Sequence, residues 1–410
     1  MSLFVRAGYN DNLVVDQMVA PAASGLPFGR GRVPMDGLVL DATSAANRPS
    51  FRDSCEAAGL PLMIDPLTHL FQDEQEPGKG WAALGFAGAA KADPDEFDSA
   101  GVQDELIERA LTFQLDHGAT TLIAPYFHAR SLKDPWFRIQ LSINKRTASF
   151  VRSEGVHVPI AGLLAGSLRA FGPVASWAEG VDAFITSFDG VELRHVLLAL
   201  STSVAPAGDT EDRLGTYLST VGHVSRRVPV IAWRQGQYGL AAVASGAVGY
   251  QTGPASDERC DLPGHGRNRR PQPGPDRSGG TSRRVYFGAF GRSVSARAAE
   301  ILLTAGSIRG GLTCTSPACC PDGASSMLSS WRQHAIRARS RELDELASMP
   351  DASWRLNHVA REAERAADRA RVANEILAGA GLTEHVPEGS YRALAAVTDA
   401  LRDAARRQAS

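Results

Sequence analysis

Nowhere in the 410 residues do apolar side chains run uninterrupted for the roughly eighteen positions a membrane span needs. The amino-terminal Met1-Ser-Leu-Phe-Val-Arg-Ala-Gly-Tyr-Asn-Asp-Asn12 also lacks a basic stretch leading into an apolar one. The expectation is a cytoplasmic protein with no membrane partner. A surplus of one charge is missing too: 43 Lys and Arg against 45 Asp and Glu give a formal net charge of −2. No global field therefore draws the chain to nucleic acid, and such a partner must be met by a local patch. Cysteine is scarce, five in all, and Cys314, Cys319 and Cys320 crowd together. That argues against a disulfide framework and for a metal or redox site. No G-x-G-x-x-G follows the first strong apolar run, which argues against an open dinucleotide-binding sheet.

What is present is a recurring strand–helix unit. Its clearest copy is residues 228–253: a β-branched run at 228–233, a polar break, an Ala-rich helix stopped by Gly246, and a second run at 247–252. Two strands joined through a helix are parallel. Similar runs lie at 38–42, 61–65, 120–127, 158–164, 181–187 and 284–290. Eight such runs alternating with helices predict an α/β fold of the (β/α)8 TIM-barrel type. Residues 1–35, rich in proline and glycine, read as an irregular lead-in. The barrel is placed at 36–310 with an insertion at 254–284. Residues 311–410 read as a Cys-rich zinc element followed by Ala-, Arg- and Glu-rich helices.

Three constellations carry chemistry. The insertion holds Arg259, Arg267, Arg269, Arg270, Arg277, Arg283 and Arg284 among prolines and glycines. Forked guanidinium donors there suit nucleic-acid phosphates, and Arg267 and Arg269 are taken as substrate contacts; the alternative is a solvated surface loop. Next come Cys314, Cys319 and Cys320, which with His358 supply four ligands for a structural zinc ion, His334 being the substitute for the last. The third is a row of polar residues at strand ends: Asp41, Asp65, His69, Tyr126, His128, Asp189, Arg234, Gln235 and Gln251. A carboxylate closing an apolar run, as Asp41 and Asp65 do, is costly to bury unless paired or functional. Tyr126, His128, Arg234 and Gln235 are the candidate substrate contacts on this rim.

The order of these features resembles the tRNA-guanine transglycosylase family, zinc-containing (β/α)8 enzymes that exchange a guanine for a modified base. Leu40-Asp41-Ala-Thr-Ser is similar to that family's catalytic aspartate followed by small residues. Gly246-Ala-Val-Gly-Tyr-Gln251 sits where the family has Gly-Val-Asp-Met-Phe-Asp, and Cys314 through Cys320 with His358 resembles its C-x-C-x2-C and later histidine. The resemblance implies a barrel, a structural zinc and a pentosyltransferase activity, with Asp41 as acid/base. The chain departs from the pattern at Gln251, an amide in place of the nucleophile; at Tyr126 and Ala165, in place of base-recognising residues; and at the missing middle cysteine. An amide cannot form the covalent glycosyl intermediate, so Asp257 or Asp261 would have to supply the attacking carboxylate.

Three readings follow. One is a divergent transglycosylase-like enzyme acting on a nucleobase or N-glycosidic bond in DNA or RNA. Another is a barrel with altered catalysis that binds nucleic acid or protein. The third is a small-molecule barrel enzyme, since fold does not fix chemistry. The charged carboxyl-terminal helices read as a solvated or homodimer-forming face.

Overall fold

The computed structural model describes residues 1–8, 10–24, 33–73, 79–88, 92–167, 174–201, 211–254, 258–262 and 283–409. In chain order its strands are β1 (Ser2–Ala7), β2 (Gly37–Asp41), β3 (Leu62–Asp65), β4 (Leu122–Ile123), β5 (His128–Ala129), β6 (Ile160–Ser167), β7 (Leu193–Ser201), β8 (Val230–Ala232), β9 (Gly249–Thr252), β10 (Arg284–Phe287) and β11 (Arg292–Ser295). The longer helices are α1 (Asn12–Ser24), α2 (Ala42–Asn47), α3 (Ser50–Ala58), α4 (Ala100–Asp116), α5 (Pro135–Ser153), α6 (Val174–Thr186), α7 (Glu211–Ser225), α8 (Gly239–Ala244), α9 (Ala296–Thr304), α10 (Trp331–Ala347), α11 (Ala352–Gly379) and α12 (Glu388–Ala409).

The strands β1 to β9 pair in the order β3-β2-β1-β9-β8-β7-β6-β4, all parallel, with β5 continuing the β4 position alongside β6. A parallel bridge between Met63 and Thr121, with Thr120 N donating to Leu62 O at 2.8 Å, brings the last strand position back to β3. The result is a nearly closed parallel barrel of eight strand positions with helices between them, the (β/α)8 architecture expected. Side chains alternate along each strand. Phe4, Val39, Met63, Ile123, Leu163, Leu197 and Ile231 fill the interior. Leu38, Leu40, Ile64, Leu164, Val196 and Leu198 face outward into the shell beneath the helices. Local signals set the helices: Asp134 caps α5 by accepting from Trp136 N, with Pro135 opening the helix. The eighth outer position is filled by α10, which packs against β1, α1 and α8.

Two of the eight predicted strands belong elsewhere, and residues 1–35 are not an irregular lead-in. Ser2–Ala7 is a barrel strand, paired with β2 on one side and β9 on the other. Residues 181–187 lie mainly in α6: Val181, Phe184 and Phe188 are buried at helical spacing, and the neighbouring strand is Leu193–Ser201. Residues 284–290 hold a strand, but β10 pairs antiparallel with β11 in a separate hairpin. The barrel therefore runs from residue 2 to residue 252, not across 36–310. The hairpin, α9, the cysteines and parts of α11 and α12 form a second core. There an alanine stripe along α11, Ala363, Ala366, Ala367, Ala370 and Ala373, permits close helix packing. Among the described residues no helix is long and apolar enough to cross a membrane.

Candidate functional site

The carboxyl ends of the strands gather a charged network. Asp41 and Asp65 are register partners on β2 and β3. Asp65 is wholly buried, and both its oxygens are used. Oδ1 accepts from Leu67 N and Tyr126 Oη, each at 2.9 Å, while Oδ2 lies 3.2 Å from Arg234 Nη2 and 3.9 Å from Arg6 Nη1. Burial raises the Tyr126 phenol well above its ordinary range, and the Asp65 charge raises it further, so it stays a donor. Leu67 and Arg234 have φ of 54° and 56° and are the non-glycine residues with positive φ among the described residues. Left-handed backbone costs an L-residue about 1–2 kcal/mol. Both strained residues donate to the same carboxylate.

Asp41 differs from its partner. Its side chain is 22% exposed; one oxygen caps α2 by accepting from Ser44 N at 2.7 Å, and the other is 3.8 Å from Arg6. It is the reachable carboxylate of the pair. Gln251, on β9, is buried and holds its Oε1 against Arg234 N at 2.9 Å. Gln235 donates from Nε2 to Leu200 O at 2.8 Å, tying the end of β7 to the turn after β8. Tyr126, Arg234 and Gln235 are thus packed into the floor of the mouth.

The segment after β9 folds back over this floor. Cys260 and Leu262 are fully buried and join the interior cluster of the barrel. Asp261 stands between them and is close enough to act on His128 at the end of β5. Burial pulls the His128 imidazole down to about 4, against the opposing charge of Asp134, and its buried Nε2 has no hydrogen-bond partner among the described residues. The segment is anchored by Glu258, which accepts from Arg339 at 2.7 Å and from Ser293 at 2.8 Å. Arg259 donates to Gln237 Oε1 at 2.7 Å. Arg267, Arg269 and Asp257 lie outside the described residues.

The metal-type cluster is Cys314, Cys319, Cys320 and His334, all buried, with ligand atoms within 4.8 Å of one another. The Sγ atoms of Cys319 and Cys320 are 3.8 Å apart, and His334 Nδ1 is 3.3 and 3.2 Å from them. A tetrahedral ion with metal–sulfur and metal–nitrogen bonds of about 2.3 and 2.0 Å needs separations of about 3.8 and 3.5 Å. The four groups fit such an ion. His334 Nε2 lies 2.8 Å from Tyr286 O, so the ring hydrogen can sit there while Nδ1 faces the sulfurs. Burial alone would lower the His334 imidazole; hydrogen bonds to Cys314 and Cys319 outweigh it and lift it to about 9. His358, the expected fourth ligand, is absent from the cluster: it sits on α11, 4.0 Å from Glu345. The substitute, His334, takes its place because α10 begins just beyond the cysteine turn and carries that residue in its first turn.

Two participants escaped the sequence reading. Arg6 closes the apolar run of β1 just as Asp41 and Asp65 close theirs, yet it sits in the stretch taken as irregular. Arg339, 1% exposed, donates to Gly236 O and Glu258 and stacks 4.1 Å above Tyr286. It connects the metal-type cluster's helix to the loops after β8 and β9. Neither a scan against models of known protein families nor a search of curated proteins finds a match to this chain.

Proposed function

We propose that this barrel acts on a nucleobase or its N-glycosidic bond in DNA or RNA, as a divergent enzyme of tRNA-guanine transglycosylase type. The observation that carries the reading is the pair of register-matched carboxylates at the strand ends. Asp65 is fully compensated and braced by two strained residues, and Asp41 is left reachable. In this reading Asp65 orients Arg234, Arg6 and Tyr126. Asp41 moves the proton on the departing or arriving base. Gln251 cannot be the nucleophile, and Asp261 is the carboxylate of the mouth proposed to replace it. The three thiols and the imidazole are proposed to hold a structural zinc ion, which stabilises the attachment of the hairpin and α10 to the barrel.

A salt series followed by a turnover assay tests this. Binding of a tRNA or a DNA duplex at about 50 mM salt should weaken at least tenfold by about 200 mM. Release or exchange of a labelled base should disappear in Asp41→Asn, with binding retained. No binding at low salt would favour the small-molecule enzyme. Binding without turnover would favour a nucleic-acid binding barrel, a reading to which the amide at 251 lends weight.

A further inference from the structure

A second candidate site lies far from the mouth, on the outer wall of the barrel. A cavity of about 430 Å³ opens where the ends of α7 and α8 meet the start of α11 and the last turns of α12. Ser245 and Gly246, in its wall, lie in the turn leading into β9, so the cavity belongs to the amino-terminal side of the ring. Its charged lining is cationic: Arg226, just past the end of α7, and Arg355 from α11, with no acidic residue among its lining residues. Neither arginine has a carboxylate partner among the described residues. Arg355 donates from Nη2 to Met349 O at 3.2 Å, and Arg226 to His223 Nδ1 at 3.3 Å. His223 in turn has its Nε2 3.0 Å from Asp182 Oδ1, which Arg227 also engages, so that carboxylate is already taken.

Polar capacity around the cavity is unused. Trp177 Nε1, Ser245 Oγ and Arg355 Nε are buried with no hydrogen-bond partner among the described residues. Leu218, Leu356 and Leu401 supply an apolar wall. A volume of several hundred Å³, a mainly apolar lining and a few convergent polar groups are the attributes of a small-molecule site.

We propose that this cavity binds a small organic anion, its carboxylate or phosphate head on Arg226 and Arg355 and its apolar body against the three leucines. The site is independent of the chemistry at the barrel mouth. Calorimetric titration of the full chain with phenyl phosphate, 4-phenylbutyrate and the uncharged 4-phenylbutanol tests it. At least one anion should bind in the millimolar range or tighter, the alcohol about tenfold more weakly. Which anion binds distinguishes a phosphate from a carboxylate ligand. Arg226→Gln and Arg355→Gln should each weaken the anion about tenfold, and Arg146→Gln, on α5 and paired with Asp104, should not. Arg226 is exposed, so its variant will fold even if Arg355→Gln does not. The proposal is overturned if neither anion binds at about 10 mM, a concentration that would reveal even very weak association. It is equally overturned if the alcohol binds as well as the anions, or if Arg226→Gln leaves anion binding unchanged.

Discussion

Replacing Asp65 by asparagine separates bracing from chemistry. Leu67 N and Tyr126 Oη converge on Oδ1, which an asparagine retains; Arg234 and Arg6 converge on Oδ2, which becomes an NH2 group facing two guanidinium ions. Breaking a buried ion pair by removing one partner costs about 3–5 kcal/mol, since the remaining charge stays desolvated. An unfolding entropy near 2.1 cal/mol/K per residue gives about 0.9 kcal/mol/K for a chain this long, so Tm should fall by about 3–6 °C. Asp41→Asn is the matched control. Asparagine caps a helix nearly as well as aspartate, and the partly exposed contact to Arg6 at 3.8 Å is worth no more than about 1 kcal/mol. Its Tm should move by about 1 °C or less. Scanning calorimetry of both variants decides the matter. Equal shifts, or a shift for Asp65→Asn within about 1 °C of the parent, would refute the assignment of Asp65 as the brace and Asp41 as the free acid.

Three more expectations rest on the same geometry. Elemental analysis should find about one zinc per chain; His334→Ala and Cys319→Ser should lose it, while His358→Ala should keep it. Because the His128 imidazole falls from 6.5 in the unfolded chain to about 4 when folded, the unfolded state binds the extra proton between those values. Stability should therefore fall as pH drops from 6.5 towards 4, by up to about 1.4 kcal/mol per unit, and urea melts of His128→Asn should show a shallower slope. Arg339→Met should cost about 3–5 kcal/mol by stranding Glu258, and hydrogen exchange should quicken at 236–237 and 258–262.

Most of the ring was legible because parallel strands buried on both faces leave continuous apolar runs, as at β2, β3, β6, β8 and β9. The two misplacements have physical causes. Val181, Phe184 and Phe188 follow a helical period within a run short enough to pass for a strand, whereas the true strand carries Arg194 and His195 straight after Leu193, which mask the apolar residues 196–200. β1 went unseen because glycine and asparagine follow it closely. The carboxylates at 41 and 65 announced themselves by ending apolar runs. Their division of labour did not, since it depends on Arg6 and Arg234, separated by more than two hundred residues and joined only when the ring closes. The choice between His334 and His358 likewise turned on where a helix begins, which ligand spacing alone does not settle.

That β1 is flanked by β2 and β9 has a kinetic consequence. Phe4 stands opposite Gln251, so the earliest strand of the barrel waits through almost two hundred and fifty residues of synthesis for its second neighbour. Until then an apolar edge stays open to other chains, and contacts so distant along the chain form slowly. Nascent-chain release before that neighbour emerges should leave a species dependent on chaperones.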